Sequence, residues 1–385
     1  MKNLQTRIAR QTRSWFLCGL LLGILLLFGN GQSLAQTPNQ PTPVGPLSPV
    51  TAELSQLLTK RAAQTSAIRG VNYVHPFNAD VKLCPDLHFG SDLLCPWDLL
   101  NIGNDLHRLE MRGVNTIRIF LNYYVFGGAR ENDPNYNLDQ PLAQLDAFIA
   151  EANRHNILVM PVLLSKYPQN AFAPEFFEKA LSLHVRPVVA HLAKHPGVLA
   201  WDLFNEIDIG SPVDERCWDW ANADFPLCHQ MANQRILFLN VMRDEIKQLD
   251  SLHPLTVSLA FAKNYFEPAG VYAVRLADLV DFYAFHYYDN EPFACGRYQA
   301  HWYYGKGFPA DLYRAVNELK ALRLEKPIVI TELGFPTGKG TTRTLVDLHR
   351  DLTTTNQLLK AKEIAGLMLW PFQVEPADLV GDLFW

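Results

Sequence analysis

The sequence predicts an α/β fold, a closed (β/α)8 barrel, and three observations carry that expectation. Eight short apolar runs recur from residue 68 onward. Amphipathic stretches of helical length separate most of them. Several of the runs are apolar throughout instead of alternating, as strands covered on both faces are. An open doubly wound sheet is the competing arrangement. Against it, no glycine-rich G-x-G-x-x-G follows the first run, and the chemically informative residues close several different runs instead of lining one crevice.

In chain order the expected strands are Ile68–Tyr73, Thr116–Leu121, Ile157–Leu164, Val198–Leu203, Thr256–Ala260, Asp281–Tyr287, Pro327–Thr331 and Gly366–Trp370. The expected helices are Leu99–Arg112, Leu138–Arg154, Pro174–His195, Met231–Leu252, Pro309–Leu322 and Leu345–Lys362. Asp98 is placed to cap the first of these, and Gly113 to stop it. After the fifth strand the pattern supports a turn or two within Pro268–Ala277. The last helix is expected to be short or absent, because the 15 residues after Trp370 contain Pro376 and Gly381. The stretch Val50–Ala63 reads as a helix able to cover the seam between first and last strands. Long loops at 74–97, 122–137, 207–227 and 288–308 all follow strands, which assigns them to the carboxyl-end face of a barrel.

Upstream of the barrel lie two further segments. Lys2, Arg7, Arg10 and Arg13 precede an apolar stretch from Trp15 to Gly29 and then Ser33-Leu34-Ala35, with no acidic residue before Ala35. This is the pattern of a secretory signal over residues 1–35, cleaved after Ala35; an uncleaved N-terminal anchor is the alternative. Residues 36–60 carry Pro38, Pro41, Pro43, Pro46 and Pro49 among polar residues and read as an extended linker. Residues 61–385 then form one catalytic domain, with no internal repeat. Removing the four cations of the signal takes the formal charge from −5 to −9. No basic run survives, which argues against nucleic acid as partner, whereas a neutral polysaccharide needs no charge steering. A secreted or periplasmic, cell-envelope location follows, with no stable membrane partner if the signal is removed, and a monomer is expected. Export permits disulfides. Spacing suggests Cys84–Cys95 and Cys217–Cys228, each stapling a long loop, with Cys295 left over. Zinc is the rival reading of these cysteines, but CxxC and HExxH are absent, so no metal or other cofactor is expected.

Two glutamates carry the chemistry. Glu206 closes the run Val198-Leu-Ala-Trp-Asp-Leu-Phe-Asn205-Glu206, and Glu332 closes Pro327-Ile-Val-Ile-Thr-Glu332. A carboxylate at the end of a buried strand needs a partner or a task, since desolvated charge is expensive. Two of them on one sheet match what cleavage of a glycosidic bond requires: one acid, and one nucleophile or base. Close approach would push their proton affinities apart and leave one protonated. Arg118, embedded in Asn115-Thr-Ile-Arg-Ile-Phe, would favour the ionised member, and Tyr288 could orient it by a hydrogen bond. The competing reading is two unrelated loop-edge carboxylates in structural ion pairs.

The order Arg118, Asn205-Glu206, His286-Tyr287-Tyr288, Glu332 and Trp370, each at its own strand, resembles the retaining glycoside hydrolases of the (β/α)8 clan. Within that clan it is most similar to family 5, the cellulase and mannanase family, over about residues 68–372. The resemblance implies acid/base at Glu206, nucleophile at Glu332, and Asn205 touching the sugar 2-hydroxyl. It further implies Arg118 and Tyr288 beside the nucleophile, His286 near the reacting centre and Trp370 beneath the reacting ring. The third strand departs from the family, which often carries a histidine or similar polar residue near its end; here it reads Met160-Pro-Val-Leu-Leu-Ser165-Lys166-Tyr167. Aromatics in the post-strand loops (Tyr123, Tyr124, Trp218, Trp220, Tyr287, Trp302, Tyr303 and Tyr304) are candidate sugar platforms or loop cores. Asn72, Tyr73 and His75 are candidate pocket residues from the first strand. The expected function is a retaining O-glycoside hydrolase acting on a β-linked glucan, mannan or related glycan. The alternative is a non-catalytic carbohydrate-binding barrel of the cell envelope.

Overall fold

A computed structural model describes residues 68–73, 98–208, 226–265, 274–288, 306–322, 325–335 and 344–370. Eight parallel strands close into a barrel in sequence order. They are β1 (Ile68–Asn72), β2 (Thr116–Asn122), β3 (Leu158–Ser165), β4 (Trp201–Asn205), β5 (Leu255–Leu259), β6 (Tyr283–Tyr288), β7 (Ile328–Gly334) and β8 (Gly366–Leu369). All eight expected strands are present. The largest boundary shifts are three residues, at the end of β7 and at the start of β4, where Val198 makes an isolated bridge to Val159 and regular pairing begins at Trp201.

The connecting helices are α1 (Leu99–Glu110), α2 (Gly127–Asn132), α3 (Asp139–Arg154), α4 (Phe177–Ala180), α5 (Arg186–Leu192), α6 (Pro226–Leu249), α7 (Leu276–Leu279), α8 (Ala310–Ala321) and α9 (Leu345–Lys360). Asp98 caps α1 as expected, accepting from the Asn101 backbone N–H. The single helix expected over Pro174–His195 is one helical run of changing pitch. A 3-10 turn (Pro174–Phe176), α4, a π segment (Leu181–Val185) and α5 follow one another without a break. Within the π segment, buried His184 sets Nε2 2.6 Å from the Leu163 carbonyl of β3, and burial pushes its pKa down to about 4, so the ring is neutral. The α2 helix interrupts a stretch read as loop. Its first residues are Gly127 and Gly128, and a Cβ on Gly127 would meet Tyr123 and His184 at 2.7 and 2.8 Å. Close packing, not propensity, is what makes that turn helical. Among the described helices, none is long and apolar enough to cross a membrane.

Apolar residues divide into two bodies. The larger lies between barrel and helices. The smaller, with Ile68, Leu158, Met160, Phe282, Ala284, Val329 and Met368, fills the lower interior of the barrel. Apart from Met368, its residues come from the amino-terminal parts of their strands or just before them, so the carboxyl-terminal half of the interior is left for polar groups. The signal, the linker, the Val50–Ala63 helix, residues 371–385 and Cys84, Cys95, Cys217 and Cys295 lie outside the described residues; Cys228, in α6, is buried.

Closure depends on a glycine. β1 pairs with β8 through Ile68↔Gly366, and a Cβ on Gly366 would lie 2.3 Å from Ile68 Cβ and 2.8 Å from its carbonyl oxygen. Gly366→Ala therefore has to push β8 from β1. It is expected to cost about 1–3 kcal/mol, read as a lower urea midpoint at unchanged slope; an unchanged midpoint would show that the seam is not tightly packed.

Candidate active site

Arg118 is the centre of the polar layer. It sits on β2 with 0% exposure, so its guanidinium has to be satisfied by protein groups. Nε donates to Asp202 Oδ2 at 2.8 Å, and Nη1 to Asn72 Oδ1 at 2.8 Å and Glu332 Oε1 at 2.7 Å. Nη2 donates to Asn205 Oδ1 at 2.7 Å. Burial works against the charge, yet Asp202 and Glu332 outweigh it and hold the pKa above its ordinary value. The partners are themselves anchored. Asp202 accepts from the Ser258 backbone at 3.0 Å and from the Ser258 hydroxyl, and Asn72 donates to the carbonyls of Thr331 and Leu369.

Glu332, on β7, is 4% exposed. Besides Arg118 on Oε1, it receives the Tyr288 hydroxyl on Oε2. Gly334 makes that second bond possible, since a Cβ there would lie 2.5 Å from two Tyr288 ring carbons. Trp370 follows β8 and is half-buried; its ring meets Phe120 edge-on at 5.6 Å, and Phe120 in turn lies 4.8 Å from the Arg118 guanidinium carbon.

Glu206 is held differently. Its backbone adopts φ 52°, the left-handed region that side-chain-bearing residues rarely occupy, directly after β4. Its N–H donates to the Ser258 carbonyl at 2.8 Å, and Oε1 lies 2.8 Å from His286 Nδ1. Burial raises its pKa to about 7, against opposing pulls from Arg118 and from Lys166. His286 is fully buried on β6, and that burial lowers its pKa to about 4. A neutral imidazole can accept from protonated Glu206 or donate to its ionised form, so it serves both states. The turn after Glu206 is pinned from two sides. Arg235 of α6 donates to the Ile207 carbonyl at 2.6 Å, and buried Asp208 accepts from the backbone of Ala260 and Phe261 and from the Asn264 amide.

Glu206, His286 and Glu332 each offer an atom within 4.8 Å of the others. The two carboxyl groups thus face each other at the carboxyl-end mouth of the barrel, one carrying a proton near neutrality and one held by a cation. That pair can deliver a proton and a nucleophile to opposite ends of one bond. The same three side chains have ligand types suited to a divalent ion, but Arg118 already occupies Glu332 and would repel a cation placed there.

The structure brings seven of the residues singled out in the sequence to this mouth: Glu206, Glu332, Arg118, Asn205, His286, Tyr288 and Trp370. Asn72 joins them through Arg118. Tyr73 does not; it points outward, donating to Asp105 and packing on Phe148. Tyr123 and Tyr287 are buried core residues, whereas Tyr124 is 57% exposed. Trp218, Trp220, Trp302, Tyr303, Tyr304 and His75 lie outside the described residues. Asp202 and Asp208 were not anticipated. The signal for Asp202 was available, since an aspartate inside an apolar strand needs a buried cation and Arg118 needs an anion.

No protein-family model and no curated protein matches the sequence. Solved structures do match in fold. GH5_18 from Streptomyces cattleya, solved in complex with Manb1-4GlcNAc, has a TM-score of 0.56 at 18% identity, over 79% of this chain and 71% of that one. A beta-1,4-mannanase from the sea hare Aplysia kurodai gives 0.54 at 17%, over 82% and 92%. An endo-1,4-beta-mannanase from Eisenia fetida gives 0.53 at 16%, over 82% and 90%. At these identities the likeness is one of fold.

Asp202→Ala would remove one of the two buried counter-charges of Arg118 and leave its Nε without an acceptor. It is expected to destabilise the protein by about 3–5 kcal/mol in denaturant titration, more than Asp202→Asn, which keeps a hydrogen-bond acceptor. Equal, small effects would mean that the pair is not sealed from water.

Proposed function

We propose that the chain is a retaining β-glycosidase of the family 5 type, acting on β-mannan or a related β-linked glycan. The observation that carries this reading is the approach of Glu206 and Glu332 oxygens to within 4.8 Å. Retaining enzymes hold their carboxyl groups about 5–5.5 Å apart, whereas inverting ones leave roughly 6.5–9.5 Å for a water. The mannan preference is supported by the neighbours, two of which are named as β-mannanases.

In the first step Glu332 attacks the anomeric carbon while Glu206 gives its proton to the departing glycosidic oxygen. Glu206, now ionised, then takes a proton from water, which attacks the same carbon and releases Glu332. Arg118 and Tyr288, each donating to one Glu332 oxygen, keep the carboxyl aimed through the first step. Asn205, fixed by Arg118, is placed to hold the 2-hydroxyl, and Trp370 to underlie the ring. We also propose that the protein is exported, with residues 1–35 removed and Cys84–Cys95 and Cys217–Cys228 joined.

The test is hydrolysis of a panel of mannans, β-glucans and aryl glycosides, with the first-formed anomer followed by NMR. Glu206→Gln should lower turnover of polysaccharide about 10²–10⁴-fold, and less on aryl glycosides whose leaving group needs no proton. Glu332→Gln should abolish both. Because Glu206 acts in its protonated form, kcat/KM should fall as pH rises through about 7, and that limb should be missing in Glu206→Gln. Activity retained in Glu332→Gln, or an α-anomer formed first, would overturn the reading.

Intact mass of protein secreted by the native host should correspond to a chain beginning at Gln36 and lacking four hydrogens for two disulfides. A mass that includes residues 1–35 would favour the anchor instead.

A further inference from the structure

At the end of the barrel opposite Glu206, α1 and α3 meet along two matched stripes. Gly103, His107 and Glu110 recur at helical spacing on α1, and Glu151 on α3 is followed by His155 at its carboxyl end. The Glu151 carboxyl lies close over Gly103, with Oε1 2.8 Å from where a Cβ would sit. His155 Nδ1 is 2.9 Å from Glu110 Oε2, and His107 Nδ1 is 3.9 Å from the same oxygen. One ligand atom from each of the three residues lies within 4.8 Å of the other two.

We propose that His107, Glu110 and His155 form a binding site for a zinc-like divalent cation that fastens α1 to α3. Two imidazoles and one carboxylate are a donor set suited to zinc, and zinc–ligand bonds near 2.0–2.1 Å put neighbouring tetrahedral ligands roughly 3.4 Å apart. The 2.9 and 3.9 Å spacings bracket that value. The longer one involves His107, whose side chain is 62% exposed and free to swing inward.

The two less mobile members also have the outer support that metal ligands need. The second nitrogen of His155 faces a carboxylate, Glu151 Oε1, at 3.4 Å. The second oxygen of Glu110 accepts from the Asn156 amide at 2.9 Å. A fourth position faces solvent and takes water. The competing account is a simple His155–Glu110 ion pair, with His107 a helix neighbour of Glu110 that also packs on the His155 ring.

Zinc titration of the chelator-treated full chain, followed by calorimetry and thermal melting, separates the two. One zinc should bind with a Kd in the micromolar range or tighter, and His107→Ala and His155→Ala should each weaken it at least tenfold. Zinc should raise the melting midpoint of the parent by a few degrees but leave that of His107→Ala unmoved, with the metal-free midpoints of the two alike. Glu206→Gln should bind zinc as the parent does, which excludes the other histidine–carboxylate cluster. Equal zinc affinity in the parent and His107→Ala, or none tighter than about 1 mM, would overturn the site and leave the ion pair.

Discussion

The guanidinium of Arg118 is the constraint from which the upper half of the barrel follows. A permanent cation with no exposure can be tolerated only if its donors are matched by acceptors that are themselves anchored. Asn72, Asp202, Asn205 and Glu332 supply them from β1, β4 and β7. Three strands are thereby tied to a fourth at one height, above the apolar floor of Ile68, Met160 and Met368. The planar fork of arginine does this in a way a lysine point charge does not, because each nitrogen has its own direction.

The same arrangement makes the two glutamates unlike each other. Glu332 rests on Arg118 and Tyr288, so its ionised form is the satisfied one. Glu206 contacts a buried neutral histidine instead, and burial dominates its proton affinity. Side by side, Glu206 is pushed toward its protonated form by burial, while Glu332 meets a buried cation and a hydroxyl donor. His286 couples them without favouring either charge state, being 2.8 Å from Glu206 and 3.4 Å from Glu332.

Much of this was legible in the sequence, for physical reasons that can be named. Strands buried on both faces are written as apolar runs, so all eight were visible, and a charged residue ending or interrupting such a run stands out; Arg118, Glu206 and Glu332 were found in that way. Residue alternation also held information that was not used. His286 and Tyr288 are two apart and share the inner face, which puts Tyr287 outside, where it packs on Phe308. Asp202 is hidden in sequence by the apolar run that ends at Glu206, and Asp208 by the long loop 207–227 that follows it, so neither stands out as a charge needing its own partner. The helix Gly127–Asn132 had no local signal at all, since its glycines answer to Tyr123 and His184 across space. The His107–Glu110–His155 cluster was invisible for a related reason: its ligands come from two helices, and motif spacing registers only one chain segment at a time.

The left-handed backbone at Glu206 connects these threads. A side chain leaving β4 in regular extended geometry would continue the strand's alternation and point either to the helices or down the barrel axis. The turn at φ 52° instead brings its carboxyl to His286 at the mouth. Such a conformation persists only when the surroundings over-determine it. Here the N–H of Glu206 is fixed by Ser258, the carbonyl of Ile207 by Arg235, and the Asp208 carboxyl by the backbone after β5. Ser258 also donates to Asp202, the principal partner of Arg118. The acid that carries the proton and the cation that steadies its opposite number are therefore braced by one serine. Their separation is set by the strands that carry them and by the groups that brace those strands.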